Sequence, residues 1–337
     1  MGECRRPSSP PGRRRRELLA GAERLNRRAW LRFGQLLLTV GVTWFILDRV
    51  GFGLQELSTL GPEWWRPRWV PFLLSCVLLF AGYAVSAGMW GRLVADMGGP
   101  RVSFSDSVRL FMVANLGRYI PGKVWQIAGM TALARRRGIS APLAMAAAVL
   151  GQGISLTAAV VVGLPTFFGG GGAAGGSGLR ILGPAALAVG VLLSPPVFPR
   201  VVRLWFRLAR QDPPETLGSL HGVRWFSVYL MNWILYAFSF RLLAASFGAG
   251  GDGLLVASSF AAAYVLGYLM IFAPAGIGVR EGFLVAFLAP VTGTAAASAL
   301  AIIARVWATL VEIIPAAGFW VGEMRRRPGE GQGGGHA

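Results

Sequence analysis

The chain of 337 residues is 54% hydrophobic and only 14% charged, whereas a soluble domain usually carries about 25% charged residues. This composition, with a mean hydropathy of +0.54, excludes an ordinary soluble enzyme or binding domain. Several apolar runs reach the roughly 20 residues that cross a bilayer. Because backbone polar groups in lipid must be satisfied within their own segment, the runs predict an all-α, polytopic transmembrane helical bundle.

The net charge of +18 has two interpretations, a nucleic-acid binder or a membrane protein with basic cytoplasmic loops. Of the 33 Lys and Arg residues, 26 lie in four hydrophilic segments, 1–32, 92–137, 200–224 and 325–327. All four can face the cytoplasm at once, which is the pattern of the positive-inside rule. We therefore predict a multi-pass plasma-membrane protein with both termini in the cytoplasm and no nucleic-acid partner.

The predicted organisation has three parts: a basic, disordered cytoplasmic tail over 1–28, a transmembrane domain over 29–324, and a Gly-rich cytoplasmic tail over 325–337. Six full spans are predicted, at 30–48, 69–91, 141–166, 179–197, 224–247 and 294–322. The basic segment 198–222 is predicted to be cytoplasmic, and an interfacial amphipathic helix is one interpretation of it.

The apolar segment 103–130 is interrupted at its middle. The interrupting residues are polar or disfavour helix: Asn115, Gly117, Arg118, Pro121, Gly122 and Lys123. Basic patches flank the segment on both sides, so a full crossing would strand one of them, and a re-entrant hairpin from the cytoplasmic side is predicted instead. A helix that restarts near Lys123 would point its free N–H groups at an anion. Lys123 itself fits a phosphate ligand and a snorkelling end residue equally well.

The stretch "FAPAGIGVREGF" at 272–283 repeats this arrangement. Pro274, Gly276 and Gly278 end one apolar arm, and Arg280 and Glu281 begin the next. The arms 254–273 and 277–290 predict either a second re-entrant hairpin, from the other side, or two full spans. Glu281 is predicted to pair with Arg280 or Arg305, either as a structural ion pair or to hold a ligand-binding Arg280 in place.

Charges at bilayer depth cost at least ~2.5–3.5 kcal/mol each on insertion scales, so they usually mark a pathway or a partner. Arg305 and Glu312 are seven residues apart on the last span and therefore share a face, which we expect to look inward. Two broken hairpins that enter from opposite faces suit a transporter site near the midplane.

Signals for enzyme or cofactor chemistry are weak. Only two histidines occur, His221 and His336, and "GAGGDG" at 248–253 lies between two apolar helices, where a turn is expected rather than a nucleotide site. We therefore expect no enzymatic activity, no metal and no cofactor.

Two segments, "NLGRYIPGKVWQIAGMTALARRRGIS" and "PAGIGVREGFL", resemble signatures of the flippase-like membrane domain of lysylphosphatidylglycerol synthases. The resemblance covers about 30–325. It implies re-entrant helices and movement of an anionic or aminoacylated lipid, or of a polyprenyl-phosphate-linked species, between leaflets. The matching positions are Asn115, Pro121, Gly122, Lys123, Pro274, Gly276, Gly278 and Glu281. One position departs from the family, which has Pro-Gly-Gly where this chain has Pro-Ala-Gly. Aminoacyl transfer is not expected, because the synthases place it in a soluble C-terminal domain.

The leading hypothesis is a lipid translocase. Its lipid-phosphate-binding residues would be Lys123, Arg280, Arg305 and Arg118, with Glu281 and Glu312 in the pocket. No ATP-binding motif occurs, so transport would run downhill or be coupled to an ion. Two alternatives stay open: a non-transporting scaffold whose partner is a membrane-associated glycosyltransferase or lipid-modifying enzyme, and an intramembrane enzyme acting on isoprenoid phosphates.

Overall fold

The computed structural model describes residues 59–119, 124–169, 219–270 and 278–326, together with four residues between 200 and 207. This part of the chain is helical and contains no strand, which confirms the all-α prediction. Its helices are α1 (Trp69–Asp96), α2 (Phe104–Asn115), α3 (Val124–Arg135), α4 (Ala141–Gly169), α5 (Ser219–Ser246), α6 (Gly253–Leu269), α7 (Val279–Thr292) and α8 (Thr294–Arg326). Two 3-10 turns, Pro62–Trp65 and Leu116–Tyr119, accompany them.

Four of these helices, α1, α4, α5 and α8, are long and apolar enough to cross a membrane. They match four of the six predicted spans. Helix α5 begins at Ser219, five residues before the predicted start, so His221 lies in its first turn. The predicted spans 30–48 and 179–197 lie outside the described residues, as do the tails 1–28 and 327–337, so the count of six stays a prediction.

Helices α1 and α5 run antiparallel and define the two ends of the bundle. Before α1, Arg68 donates from Nη2 to the carbonyl of Ala245 at 2.6 Å and from its backbone N–H to Ser246 at 2.8 Å. A guanidinium at these last carbonyls complements the negative end of the α5 dipole. At the other end, Trp225 Nε1 donates to Asp96 Oδ2 at 3.0 Å. We call this second end, which carries Arg92, Arg135, Arg136, Arg137 and Arg224, the basic end.

Helices α2 and α3 form hairpin 1 (residues 104–135), which enters the bundle from the basic end. Its two open ends are joined by an ion pair between Arg137, just after α3, and Asp106 in the first turn of α2. Near the tip, a Cβ on Gly117 would lie 2.8–2.9 Å from backbone atoms of Trp125 and Gln126. Glycine at this position therefore allows the two arms to approach each other closely.

Helices α6 and α7 form hairpin 2 (residues 253–292), which enters from the opposite end. "GAGGDG" is a turn, as predicted: Gly248 and Gly251 have φ of 73° and 106°. Asp252 then caps α6, accepting from the N–H of Leu254 at 2.7 Å. At this base of the hairpin, Gly251 lies against Val291, near the end of α7.

Three of the four hairpin arms are short. Helices α2 and α3 have 12 residues each and α7 has 14, whereas a crossing needs about 17–25. Helix α7 is also bounded on both sides, because Gly278 and Gly293 flank it at φ of 81° and 84°. The choice between a re-entrant hairpin and two full spans over 254–290 stays a prediction.

Hairpin 2 is held in the bundle by small residues. Gly163 of α4 packs on the backbone of Ala262, where an added Cβ would lie 3.1–3.2 Å from it. One turn away, the hydroxyls of Thr166 and Ser258 share a hydrogen bond of 2.6 Å. Small residues let membrane helices approach closely enough for such contacts, and α6 is thereby fixed against α4.

Candidate functional site

A cavity of about 180 Å³ lies between the inner ends of the described arms of the two hairpins, which we call their tips. All eight helices contribute to its lining, which includes Asn115 and Gln126 from the tip of hairpin 1 and Tyr268 and Arg280 from the tip of hairpin 2. Since one water molecule needs about 10–15 Å³ of such space, there is room for on the order of ten waters. The cavity therefore matches a small polar headgroup in size.

Arg280, in the first turn of α7, presents its guanidinium to this cavity. Its Cζ lies 4.5 Å from the ring centroid of Phe260 and 5.9 Å from that of Tyr264. Among the described residues, no carboxylate lies within 4.0 Å of it. Stacking on aromatic faces holds a guanidinium while leaving its N–H edge available for hydrogen bonds. The arrangement favours an anion in the cavity.

Glu281 binds Gly278 and Arg305 rather than Arg280. Its Oε2 accepts from the N–H of Gly278 at 2.7 Å, and its Oε1 lies 3.5 Å from Arg305 Nη1. Of the two arginines expected as partners for this glutamate, the structure shows an ion pair with Arg305. The carboxylate therefore ties the start of α7 to α8 and makes no ion pair with Arg280.

We expect Glu281→Ala to lower the free energy of unfolding by about 2 kcal/mol or more, because it removes a helix cap and leaves Arg305 without this carboxylate in a partly buried site. Glu281→Gln should cost less, since an amide oxygen can still accept from Gly278. Thermal unfolding of the purified protein in detergent measures both. A Glu281→Ala variant as stable as the wild type would contradict the assignment of this pair as structural.

Three further predicted residues line the cavity, namely Asn115, Arg305 and Glu312. Arg305 and Glu312 both face inward from α8, as expected, and Glu312 is 1% exposed. Asn115 is fully buried, and its Oδ1 accepts from Gln126 Nε2 at 2.6 Å. This bond joins the two arms of hairpin 1, and the Nδ2 of Asn115 has no partner among the described residues.

Five of the predicted site residues fall outside the described part of the chain: Pro121, Gly122, Lys123, Pro274 and Gly276. Arg118 lies in the turn Leu116–Tyr119, but its side chain is not among those described. Gly278 is described and supplies the N–H that Glu281 accepts. The roles assigned to all these residues stay predictions.

The two hairpins and the cavity all lie within residues 32–316, which match the model of the family described as "Lysylphosphatidylglycerol synthase TM region". The chain belongs to this family. The resemblance inferred from the two signatures is thereby confirmed, and the protein is a membrane protein related to lipid handling. No curated protein and no solved structure matches the chain.

In this member of the lysylphosphatidylglycerol synthase transmembrane-region family, the tyrosines that line the cavity were not predicted from the sequence. Five of the chain's six line the cavity: Tyr83, Tyr229, Tyr236, Tyr264 and Tyr268. Tyrosines of membrane helices are enriched at the ends of spans, where the hydroxyl reaches water. Those of α1 and α5 lie in the interior of their apolar helices, and burying a hydroxyl without a partner is costly. Tyrosines in the interior of apolar helices were therefore the sequence feature that could have indicated the cavity.

Hydrogen bonds link polar cavity residues across helices. Ser86 of α1 bonds the hydroxyl of Tyr236 on α5 at 3.1 Å and accepts from Asn232 Nδ2 at 2.9 Å. Between α4 and α5, Trp233 Nε1 donates to Ser155 at 3.0 Å. These bonds fix the orientation of the polar lining before any ligand arrives.

Proposed function

We propose that the protein translocates a lipid with an anionic phosphate headgroup between the two leaflets of the plasma membrane. The observation that carries this proposal is the guanidinium of Arg280, which lies in a headgroup-sized cavity between two hairpin tips without a carboxylate beside it. The phosphate would bind there while the hydrocarbon chains stay in the bilayer. No covalent chemistry is involved, so the protein is not an enzyme under this proposal.

The geometry of the hairpins supports a site reached from both sides. With α1, α4, α5 and α8 crossing the bilayer, hairpins 1 and 2 are re-entrant and approach its midplane from opposite faces. Transporters commonly place their substrate sites at such interrupted helices, since their ends offer unpaired backbone groups. A buried arginine is costly in a membrane, and a translocated anion explains its presence.

Several donors are available to a phosphate in this cavity. Arg280 can offer two parallel N–H groups, the arrangement that binds phosphate most strongly. Asn115 Nδ2 has no partner among the described residues and is a second donor, a neutral one. Arg305 is held by Glu281 and assists through its charge. Lys123 and Arg118 complete the proposed set on sequence grounds.

The basic end is proposed to face the cytoplasm, with both termini on that side. In a background with Cys4→Ser and Cys76→Ser, we expect Gly250→Cys to react with a membrane-impermeant maleimide on intact cells. Arg136→Cys should react only after the cells are permeabilised. Both positions are exposed. The reverse labelling pattern would contradict the orientation, and labelling of both from outside would contradict the span arrangement.

The function is tested in liposomes that contain the purified protein and a lipid with a fluorescent acyl chain. Dithionite added outside bleaches only the outer leaflet, so translocation appears as bleaching beyond the outer fraction. We expect bleaching faster than in protein-free liposomes for at least one phosphate lipid. If every anionic lipid stays in its leaflet while a transferase co-purifies from the native membrane, the protein is a scaffold. Product formation without movement would identify an intramembrane enzyme.

A further inference from the structure

We propose that three rings on α6, those of Phe260, Tyr264 and Tyr268, form a ladder along which the guanidinium of Arg280 moves while it carries the lipid phosphate. The three residues are positioning residues, because they act through Arg280 and do not themselves bind the phosphate. This inference rests on the proposed translocase function and specifies how the cation at its centre changes position.

The three rings lie on one face of α6. They are spaced four residues apart, so they stand one above the other along the helix, and all three line the cavity. From Phe260 to Tyr268 the helix axis rises about 12 Å, at about 1.5 Å per residue, whereas the hydrocarbon core of a bilayer is about 30 Å thick. The ladder therefore covers a substantial part of the distance that a phosphate has to cross.

The guanidinium lies beside the first two rings. Arg280 Cζ is 4.5 Å from the ring centroid of Phe260 and 5.9 Å from that of Tyr264, and both distances are within the roughly 6 Å range of cation–π attraction. The rings of Tyr264 and Tyr268 are stacked, with centroids 6.0 Å apart and an angle of 22° between their planes. The third ring therefore continues the row beyond the second.

The backbone of Arg280 lies at a level from which its side chain can reach either end of this row. A Cβ on Gly267 would lie 3.3 Å from Arg280 Cα, and Gly267 stands between Tyr264 and Tyr268 in the sequence. In the structure the side chain extends from this level to Phe260, seven residues earlier on α6. Another combination of staggered rotamers directs the same side chain toward Tyr268.

Ring faces suit a cation that has to move. Among the described residues, no carboxylate lies within 4.0 Å of Arg280, so no ion pair fixes it in one position. Successive ring faces attract a guanidinium in a similar way, and it can pass from one to the next without a large loss at any step. The first two rings are themselves held, since Phe240 stacks on Phe260 with centroids 5.0 Å apart and Trp233 lies 4.7 Å from Tyr264. The ladder is therefore fixed while the cation moves.

The test uses Tyr268→Leu, because the guanidinium in the structure lies beside the other two rings. The dithionite assay is run with phosphatidylglycerol, phosphatidic acid and a prenyl phosphate, each with a fluorescent chain and at several mole fractions. For the lipid that the wild type moves fastest, we expect the maximal rate to fall about three- to tenfold, as for loss of one cation–π contact. The mole fraction that gives half-maximal rate should stay near the wild-type value, because binding over Phe260 is unchanged.

Three further variants separate the ring from other roles of Tyr268. Tyr268→Phe keeps the ring and should restore most of the lost rate. The matched control is Phe283→Leu on α7, because Phe283 stacks on Phe287 and lies outside the described lining of the cavity. Its rate should equal that of the wild type. In the background of Arg280→Gln, Tyr268→Leu should cause no further loss, since the ring acts only through the guanidinium.

A maximal rate unchanged in Tyr268→Leu would overturn the ladder and leave the translocase proposal standing, with Arg280 at a fixed position over Phe260. An equal loss with and without Arg280 would also overturn it, because Tyr268 would then act on the fold or on the lipid directly. If the wild-type protein moves none of the three lipids, both proposals fail.

Discussion

Arg280→Gln is expected to slow leaflet exchange of the transported lipid about 10- to 100-fold, the effect of losing a charge-assisted hydrogen bond worth about 1.5–3 kcal/mol. The guanidinium lies over Phe260 and Tyr264, without a carboxylate within 4.0 Å among the described residues. Its charge is therefore available to a ligand rather than used in an ion pair. The dithionite assay with equal amounts of reconstituted protein measures the change.

Two further variants separate charge from geometry. Arg280→Lys keeps the charge but loses the planar group that stacks on the rings and binds phosphate with two bonds, so an intermediate rate is expected. Arg224→Gln removes a cation from an exposed position at the basic end and should leave the rate near that of the wild type. If Arg280→Gln moves the lipid between leaflets as fast as the wild type, Arg280 does not bind the lipid phosphate.

Gly267→Ala is expected to reduce both stability and transport. The added Cβ would lie 2.8 Å from the Cβ of Arg280 and 3.3 Å from its Cα, so the arms of hairpin 2 must separate. Overpacking of this kind costs about 1–3 kcal/mol, and it moves Arg280 relative to the rings beneath it. Thermal unfolding and the dithionite assay on the same preparation measure the two effects.

The matched control is Gly153→Ala on α4, where an added Cβ meets no atom within 4 Å and alanine favours the helix. Its stability should equal or slightly exceed that of the wild type. If Gly267 acts on transport through Arg280, the double variant with Arg280→Gln should be no slower than Arg280→Gln alone. Additive losses in the double variant would show that Gly267 affects transport by another route.

The sequence was sufficient to predict the features that depend on neighbours along the chain. Hydropathy predicted α1, α4, α5 and α8, because a span is defined by its own apolar length. The glycines and aspartate of 248–253 predicted the turn before α6 through their backbone preferences. The break at Gly278 was predicted in the same way, since glycine readily adopts the φ of 81° found there.

The composition of the cavity was not predictable in this way, because it depends on which faces of distant helices meet. Tyr83 and Tyr236 contact each other with ring centroids 5.8 Å apart, although they come from different spans. The choice of Arg305 rather than Arg280 as the partner of Glu281 depends on the rotation of α8 against α7. Such rotations are set by packing over the whole bundle, which no local pattern encodes.

The central claim is that a lipid phosphate binds inside the membrane, between the tips of hairpins 1 and 2. The most direct measurement is a cryo-electron microscopy map of the protein in nanodiscs that contain the lipid found to move fastest. We predict headgroup density in the cavity, against Arg280 and Asn115, with the hydrocarbon chains leaving toward the bilayer. A map in which the two tips lie apart, or in which Arg280 is bathed in bulk water beyond the headgroups, would contradict the account.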